Sequence, residues 1–204
     1  MRGEPTIFVV DDEQLARSSI CAVIDSMHMR HEAFSSAGEF LQCYEPSRAG
    51  CLVTDVRMQD SSGLELQRTL AERGGELPVI VVSAYANVRA AVKAIKQGAV
   101  TFLQKPFNDH ELFEAICEAL EEDRETRARA ERRRDLQGRI ESLTPEERQV
   151  MDLIVEGKPN KAVAGELKIG LRTVESRKHM VFEKMQADSL AALVRLILEA
   201  RSRG

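Results

Sequence analysis

Residues 6–12 have the sequence TIFVVDD, five strand-forming residues followed by two aspartates. A similar run, PVIVVS, occupies residues 78–83 and also ends at a polar side chain. Continuous runs of β-branched and apolar residues are typical of strands that are buried on both faces of a parallel sheet. The two runs therefore predict such a sheet, with polar groups at its strand ends.

Three further strands are predicted, at residues 51–54, 101–103 and, from a weaker pattern, 31–34. Helical patterns separate all of these strands. Five strands that alternate with five helices predict an α/β domain with a doubly wound, five-stranded parallel sheet of the flavodoxin-like kind.

Capping residues mark the helix starts in this region. Ser36, Ser62 and Asn108 each precede a glutamate by three residues, which is the spacing of a capping box. Asn87 is predicted to begin the fourth helix, and Gly98 is predicted to end it in a left-handed conformation.

Charge divides the chain into three parts. The net charge is −6 over residues 1–120, zero over residues 121–142, which hold seven acids and seven bases, and +2 over residues 143–204. The middle part lacks a sustained apolar stripe, so it forms either a solvated helix with opposite-charge pairs or a flexible tether. We predict a domain at 5–120, a charged linker at 121–138, expected to be helical, and a mildly basic domain at 139–204.

The apolar pattern argues against a membrane or secreted protein. No apolar run approaches the roughly 20 residues of a membrane span, and the first residues lack the apolar segment and cleavage site of a secretion signal. The four cysteines form no Cys-x-x-Cys pair and are expected to be reduced. We expect a cytoplasmic protein without a membrane partner.

The C-terminal domain is predicted to contain four short helices. Thr144 caps the first, with a proline at the first helical position, and Asn160 caps the second. A tight turn at 168–170 leads into a third helix over 171–185. A short helix, a turn and a longer helix predict a small all-α helix-turn-helix domain.

Four of the predicted strands end at side chains that suit phosphoryl chemistry, namely Asp11 and Asp12, Asp55, Ser83 and Lys105. The carboxyl ends of parallel strands meet at one edge of a sheet, so these groups are expected to lie together. Carboxylates at close quarters require a cation, and ligation by oxygen favours Mg²⁺. The cation and the lysine can neutralise charge on a transferring phosphoryl group while a carboxylate oxygen attacks.

These strand ends lie within four motifs: VVDDE at 9–13, TDVRM at 54–58, VSA at 82–84 and QKPF at 104–107. Over about residues 5–120 the chain resembles the receiver domain of bacterial response regulators. The resemblance implies that a sensor histidine kinase phosphorylates Asp55. One position departs from the family, because Gln59 follows the Arg-Met step where proline is usual. We expect this to loosen the loop beyond Asp55 and to affect phosphoryl lifetime.

The same resemblance assigns the other polar groups. The expected Mg²⁺ ligands are Asp11, Asp12, Asp55 and the backbone carbonyl of Arg57. The expected partners of the phosphoryl oxygens are Ser83 and Lys105. Phe102 occupies the position of the switch aromatic residue, and the Lys105–Pro106 bond is expected to be cis.

The C-terminal region contains LTPEERQVM at 143–151, then Gly157, Asn160-Lys161, Ala164, Leu167, Ile169 and TVE at 173–175. This pattern resembles the LuxR-type helix-turn-helix over about residues 139–200. Together with the receiver resemblance, it makes the whole chain similar to FixJ-type response regulators. The resemblance implies double-stranded promoter DNA as a partner, and RNA polymerase as a further one.

Periodicity assigns the faces of the third C-terminal helix. Val174, Val181 and Met185 share one stripe and are expected to face the core. The residues expected on the opposite side, towards the DNA bases, are Glu175, Ser176, His179 and Glu183. The residues expected to reach phosphates are Lys161, Arg172, Thr173, Arg177, Lys178 and Lys184.

The helix after Asn87 carries a small apolar face formed by Val88, Ala91, Val92 and Ile95. This face is either part of the core or a surface for association. In FixJ-type regulators phosphorylation rearranges this region, so the resemblance implies a homodimer that forms there on phosphorylation.

Two other classes of function compete with a phosphorylation-controlled transcription factor. Acyl-phosphate chemistry on an aspartate is shared with Mg²⁺-dependent phosphohydrolases, but about 120 residues leave no room for a cap domain, so we do not expect an enzyme. A DNA-binding protein with the first domain as a mere scaffold would not need the complete set of strand-end residues.

Overall fold

The structure, a computed structural model, describes residues 4–59, 61–84 and 88–201. By its internal contacts the chain divides into two units, Met1–Arg127 and Ala128–Gly204. Within the described ranges every helix is too short or too polar to cross a bilayer. The predicted helix start at Asn87 lies outside the described residues.

The first unit contains the five-stranded parallel sheet that the sequence predicted, and its strand order is β2-β1-β3-β4-β5. The strands are β1 (Thr6–Val10), β2 (Arg30–Phe34), β3 (Gly50–Asp55), β4 (Val79–Ser83) and β5 (Ala99–Gln104). The helices that alternate with them are α1 (Gln14–Ser26), α2 (Ala37–Cys43), α3 (Gly63–Glu72), α4 (Val88–Lys96) and α5 (Asp109–Glu141).

Two apolar cores cover the two faces of this sheet. Phe8 of β1 packs in one core with residues of α2, α3 and α4. Its neighbours Ile7 and Val9 point to the other face and pack with residues of α1 and α5. Because β1, β3 and β4 are buried along their whole length, apolar side chains are favoured at every position, which explains the continuous runs in the sequence.

The predicted capping patterns are present in the structure. Ser62 and Asn108 exchange hydrogen bonds with the glutamates three residues later. Ser36 accepts a hydrogen bond from the Glu39 amide, whereas the Glu39 carboxylate accepts from Ser35 instead. Gly98 has a φ of +88°, the left-handed conformation expected after α4.

Helix α5 extends through the charged segment, which is therefore helical. The buried Asp123 carboxylate accepts a hydrogen bond from the Gly50 amide at 3.0 Å and forms an ion pair with Arg127 at 2.8 Å. The Arg127 guanidinium also donates to the carbonyls of Pro46, Ser47 and Arg48. Burial raises the pKa of Asp123, against the opposing effect of its hydrogen bonds. We call these contacts the Asp123–Arg127 clamp, and nothing in the sequence pattern predicted them.

The second unit has its own apolar core, to which the end of α5 contributes Leu136 and Ile140. The helices that follow are α6 (Pro145–Val155), α7 (Asn160–Leu167), α8 (Leu171–Met185) and α9 (Leu190–Arg201). Lys168 turns the chain after α7 with a left-handed φ of 56°. The α7–turn–α8 arrangement is the helix-turn-helix that the sequence predicted.

One predicted cap in this unit is wrong. Pro159, not Asn160, is the N-cap residue of α7, and Asn160 is the first residue of the helix. The Asn160 side chain instead accepts a hydrogen bond from Lys178 of α8, at 3.5 Å. The sequence alone could not distinguish the two positions. A proline with an extended backbone can also be the residue immediately before the first helical one, as Pro159 is here.

Candidate functional site

The predicted strand-end residues lie at one edge of the sheet. Asp11 follows β1, Asp55 ends β3, Ser83 ends β4, and Lys105 follows β5. Asp11, Asp55 and Ser83 are buried, with exposed fractions of 2, 9 and 3%. Since isolated buried carboxylates are costly, this edge needs a positive charge to be stable.

Lys105 supplies that charge. Its Nζ atom donates to Oδ2 of Asp11 at 2.7 Å and to Oδ1 of Asp55 at 2.9 Å. Burial of the ammonium acts to lower the pKa of Lys105, but the hydrogen bonds to the two carboxylates outweigh it and hold that pKa above its ordinary value. The Lys105 backbone amide donates to the Ser83 carbonyl at 2.7 Å, and the Lys105–Pro106 bond is cis, as predicted.

Backbone groups hold the Asp55 carboxylate from the other side. The Arg57 amide donates to Oδ2 of Asp55 at 2.6 Å. Helix α3 begins against this residue at Gly63, where a Cβ atom would lie 2.3 Å from the Asp55 carbonyl oxygen. Only glycine permits this close approach, so Gly63 is a site residue that the sequence analysis did not single out.

The oxygen-rich edge fits Mg²⁺ by the chemistry of its donors, which are carboxylates and a backbone carbonyl. The Asp12 carboxylate, however, accepts a hydrogen bond from the Gln59 amide at 3.0 Å. Across residues 4–59, 61–84 and 88–201, no three acidic, histidine or cysteine side chains converge closely enough to form a metal site. The cation between Asp11 and Asp55 is the Lys105 ammonium.

Gln59 makes a contact that the proline usual at this position could not make, because proline has no N–H group. From the sequence alone, this departure predicts a looser loop. In the structure the Gln59 amide instead connects the loop after β3 to Asp12 at the end of β1.

The predicted switch residue and association surface lie on the neighbouring elements. Phe102 of β5 is half-buried against the core shared with α4. On α4, Val88, Val92 and Ile95 are exposed to 78, 47 and 49%, while Ala91 is half-buried. The structure therefore leaves most of this apolar face outside the core.

Helix α8 presents two different faces. Val174, Val181 and Met185 are fully buried in the core of the second unit, as predicted. Other predicted residues are exposed, namely Arg172, Thr173, Glu175, Ser176, His179 and Glu183 of α8 and Lys161 of the preceding α7. Arg177 and Lys178 are half-buried. A groove of about 600 Å³ runs beside α8, and Lys178 and His179 are among its lining residues.

Lys184, which the sequence places beside the exposed face of α8 as a phosphate contact, is engaged within the second unit instead. Its Nζ atom forms an ion pair with Glu147 at 2.6 Å and donates to the Ser142 carbonyl at 3.1 Å. A helical wheel places Lys184 near the polar face but does not show that α6 presents a carboxylate there. We therefore leave Lys184 out of the proposed DNA-contacting set.

Two protein families match the two units. The family described as "Response regulator receiver domain" matches residues 7–117, and the family "Bacterial regulatory proteins, luxR family" matches residues 141–197. The first match contains all the strand-end residues described above. The second contains the whole helix-turn-helix.

Curated proteins and solved structures match nearly the whole chain. The response regulator protein TodT of Pseudomonas putida is 40% identical over 190 residues, 93% of this chain and 84% of that protein. The transcriptional regulatory protein FixJ of Rhizobium meliloti is 40% identical over 193 residues, 95% of each chain. The solved structure of the response regulator StyR is 37% identical and covers 97% of this chain and 100% of its own, with a TM-score of 0.88.

The two family matches and the full-length relatives agree with the sheet-edge geometry and with the helix-turn-helix. The chain belongs to the response regulators that join a receiver domain to a LuxR-type DNA-binding domain, a family of transcriptional regulators.

Proposed function

We propose that Asp55 accepts a phosphoryl group from the phosphohistidine of a sensor histidine kinase. The observation that carries the proposal is the convergence of Asp55, Asp11 and Lys105 at one sheet edge, with Asp55 held by hydrogen bonds on both carboxylate oxygens. This geometry fixes the direction of the nucleophile before a donor arrives, which favours an in-line attack.

In this step a carboxylate oxygen of Asp55 forms a bond to phosphorus as the bond from phosphorus to the histidine nitrogen breaks. Lys105, which is already charged and close to Asp55, neutralises the charge on the phosphoryl oxygens. Ser83, at the end of the adjacent strand, donates to another of these oxygens. To do so Ser83 moves towards the phosphoryl group, and Phe102 of the neighbouring strand β5 rotates into the space that it leaves.

The proposed Mg²⁺ ligands are Asp11, Asp12, Asp55 and the carbonyl of Arg57. When bound, the ion supplies additional positive charge for the transferring phosphoryl group. The chemistry of these donors supports the assignment, and so does the charge of the two buried carboxylates, which exceeds that of Lys105. The residues of this chain keep the nucleophile oriented.

The proposed output is promoter binding by the second unit, with RNA polymerase as a further partner. Helix α8 would enter the major groove, with Glu175, Ser176 and His179 towards the bases. The expected phosphate contacts are Lys161, Arg172, Thr173, Arg177 and Lys178. As a regulator of promoters the protein would act in the cytoplasm and would not need an enzymatic activity of its own.

Phosphorylation is proposed to promote a homodimer through the α4 face formed by Val88, Ala91, Val92 and Ile95. The exposure of its three larger side chains supports this surface. Paired half-sites on DNA require two recognition helices, so that a dimer would couple phosphorylation to promoter affinity.

Phosphoryl acceptance is tested by incubating the full chain with Mg²⁺ and acetyl phosphate and measuring its intact mass. The wild type should gain one phosphoryl group and Asp55→Asn should gain none, because the amide is nearly isosteric but a poor nucleophile. Asp109→Asn, at an exposed position, is the matched control and should behave as wild type. A full adduct on Asp55→Asn would move the acceptor to another carboxylate.

The dimer surface is tested by sedimentation of the chain before and after phosphorylation. We expect a monomer that becomes a dimer, and a monomer in both states for Val92→Glu. Leu15→Glu, at a 77% exposed position on α1, is the control and should dimerise normally. A dimer that forms without phosphorylation and survives Val92→Glu would place the interface elsewhere.

A further inference from the structure

Lys184 lies in the last turn of α8 and is held from inside its own unit. Its ammonium donates to Oε2 of Glu147 at 2.6 Å and to the carbonyl of Ser142 at 3.1 Å. Only 27% of the Lys184 side chain is exposed. A cation at the C-terminus of a helix also interacts favourably with the helix dipole. The charge of Lys184 is therefore neutralised by groups of its own unit.

Glu147 connects this lysine to the beginning of α6. Its side chain is 10% exposed, and its Oε2 atom accepts from the Thr144 amide at 2.9 Å as well as from Lys184. The Lys184 hydrogen bond and the Thr144 amide together hold the pKa of Glu147 below its ordinary value. One carboxylate thus completes the capping box of α6 and binds the last turn of α8.

Arg139 makes a second attachment to the same turn. Its Nη1 atom donates to the carbonyl of Met185, the last residue of α8, at 3.2 Å. Its Nη2 atom forms an ion pair with Asp135 at 2.7 Å, one turn earlier in α5. We call these residues the α8 bracket, which consists of Arg139, Ser142, Glu147, Lys184 and Met185.

We infer that Lys184 is a positioning residue for DNA recognition, acting through the bracket on the placement of α8, and not a phosphate contact. The inference rests on the proposed DNA-binding function of α8. Contacts to base edges need a helix fixed to within a fraction of an ångström, whereas long, flexible cationic side chains reach phosphates from a range of helix positions. Releasing the bracket should therefore impair sequence discrimination more than general affinity.

The experiment uses the full-length chain and two duplexes of equal length. One duplex is enriched by the wild type from a random-sequence pool, and the other has the same bases in scrambled order. Affinity for each is measured over a range of salt concentrations. For Lys184→Met we expect about a tenfold loss on the enriched duplex, little change on the scrambled one, and a salt slope equal to that of the wild type.

Three further single variants and one double variant separate positioning from other roles. Glu147→Gln should reproduce the selective loss, and the double variant should be no worse than either single variant, because both remove one interaction. Lys184→Arg, which retains the ion pair, should restore discrimination. Lys161→Ala, at an exposed proposed phosphate contact, should reduce the salt slope by about 0.9 and weaken both duplexes alike.

The possible outcomes are distinguishable. Equal losses on both duplexes with a reduced salt slope for Lys184→Met would make it a phosphate contact and overturn the inference. Additive effects of Lys184→Met and Glu147→Gln would overturn it as well. If Lys184→Met unfolds the second unit, as judged by circular dichroism, the other two variants test the inference. It is supported if Glu147→Gln loses discrimination while Lys184→Arg retains it, and overturned if the two variants behave alike. Failure of the wild type to enrich any sequence would instead refute the proposed DNA binding itself.

Discussion

Lys105 in the first unit and Lys184 in the second make the same kind of contact, an ammonium on a buried carboxylate. Lys105 bridges two carboxylates, Asp11 and Asp55, which lie at the ends of different strands. Lys184 binds a single carboxylate, Glu147, whose Oε2 atom is also shared with the amide of Thr144. At the sheet edge two carboxylates share one lysine, whereas Lys184 and Glu147 form a one-to-one pair.

Under the proposed function, one pair of residue types serves reactivity at the sheet edge and rigidity at the end of α8. A carboxylate in excess over its cation can bind another positive group or act as a nucleophile. A carboxylate whose charge is matched and whose oxygen is shared with a backbone amide mainly fixes two helices. The number of carboxylates around a lysine therefore says more about the role of the site than the presence of an ion pair does.

The comparison predicts the largest effect for Lys105→Met. Asp11 and Asp55 would then face each other without a cation, so the free energy of unfolding of the first unit should fall by about 3 kcal/mol. Millimolar Mg²⁺ should recover more stability in the variant than in the wild type. Urea unfolding with and without Mg²⁺ measures both effects, with the exposed Lys96→Met as control. An unchanged stability would mean that the edge carries no excess charge.

A smaller effect is expected from the exposed cations of the second unit. Lys161→Ala should weaken binding to any duplex severalfold and reduce the log–log salt slope by about 0.9, since one phosphate contact is lost. His179→Ala should change the preferred sequence and leave that slope unchanged. Fluorescence anisotropy over a salt series, followed by selection from a random pool, measures the two properties. A normal slope for Lys161→Ala would contradict the proposed docking.

The contact between Gln59 and Asp12 predicts a change in Mg²⁺ affinity. Gln59→Pro removes the amide that competes for the Asp12 carboxylate, so we expect Mg²⁺ to bind more tightly by a few-fold. Gln59→Ala retains the amide and is the matched control, with wild-type affinity. Titration calorimetry of the full chain distinguishes them. Equal affinity in both variants would show that this hydrogen bond does not compete with the ion.

The smallest effect concerns pH and Glu147. Because the folded pKa of Glu147 is lowered by Lys184 and Thr144, its ionised form stabilises the fold above the ordinary glutamate pKa. That stabilisation is lost as the pH falls through the folded value. Glu147→Gln should therefore flatten the acid side of the stability curve below about pH 4.3, measured by thermal unfolding. Exposed Glu141→Gln should retain the wild-type curve.

The sequence was sufficient to predict the sheet edge because the topology of a parallel sheet determines which residues meet there. Once the parallel strands are recognised, their carboxyl ends must meet, so Asp11, Asp55 and Lys105 could be placed together without knowing a single contact. The buried face of α8 was predictable for a similar reason, since the helical period alone assigns Val174 and Val181 to the core.

Contacts between side chains distant in sequence were not predictable. The period of α8 gives the direction of Lys184 but not the presence of Glu147, 37 residues earlier. The charge pattern of α5 gives no sign that Asp123 pairs with the Gly50 amide, because that contact depends on how the loop before β3 folds. The Gln59 contact was missed because the departure from proline was interpreted only as a loss of rigidity and not as a gain of a donor.

The Asp123–Arg127 clamp has a practical consequence for protein engineering. A chimera that joins this receiver to a different output domain at residue 120 would discard both side chains of the clamp. The Gly50 amide and the carbonyls of residues 46–48 would then lose the partners that they have in the intact chain. Sensors assembled from this receiver should be spliced after Arg127, where the first unit ends.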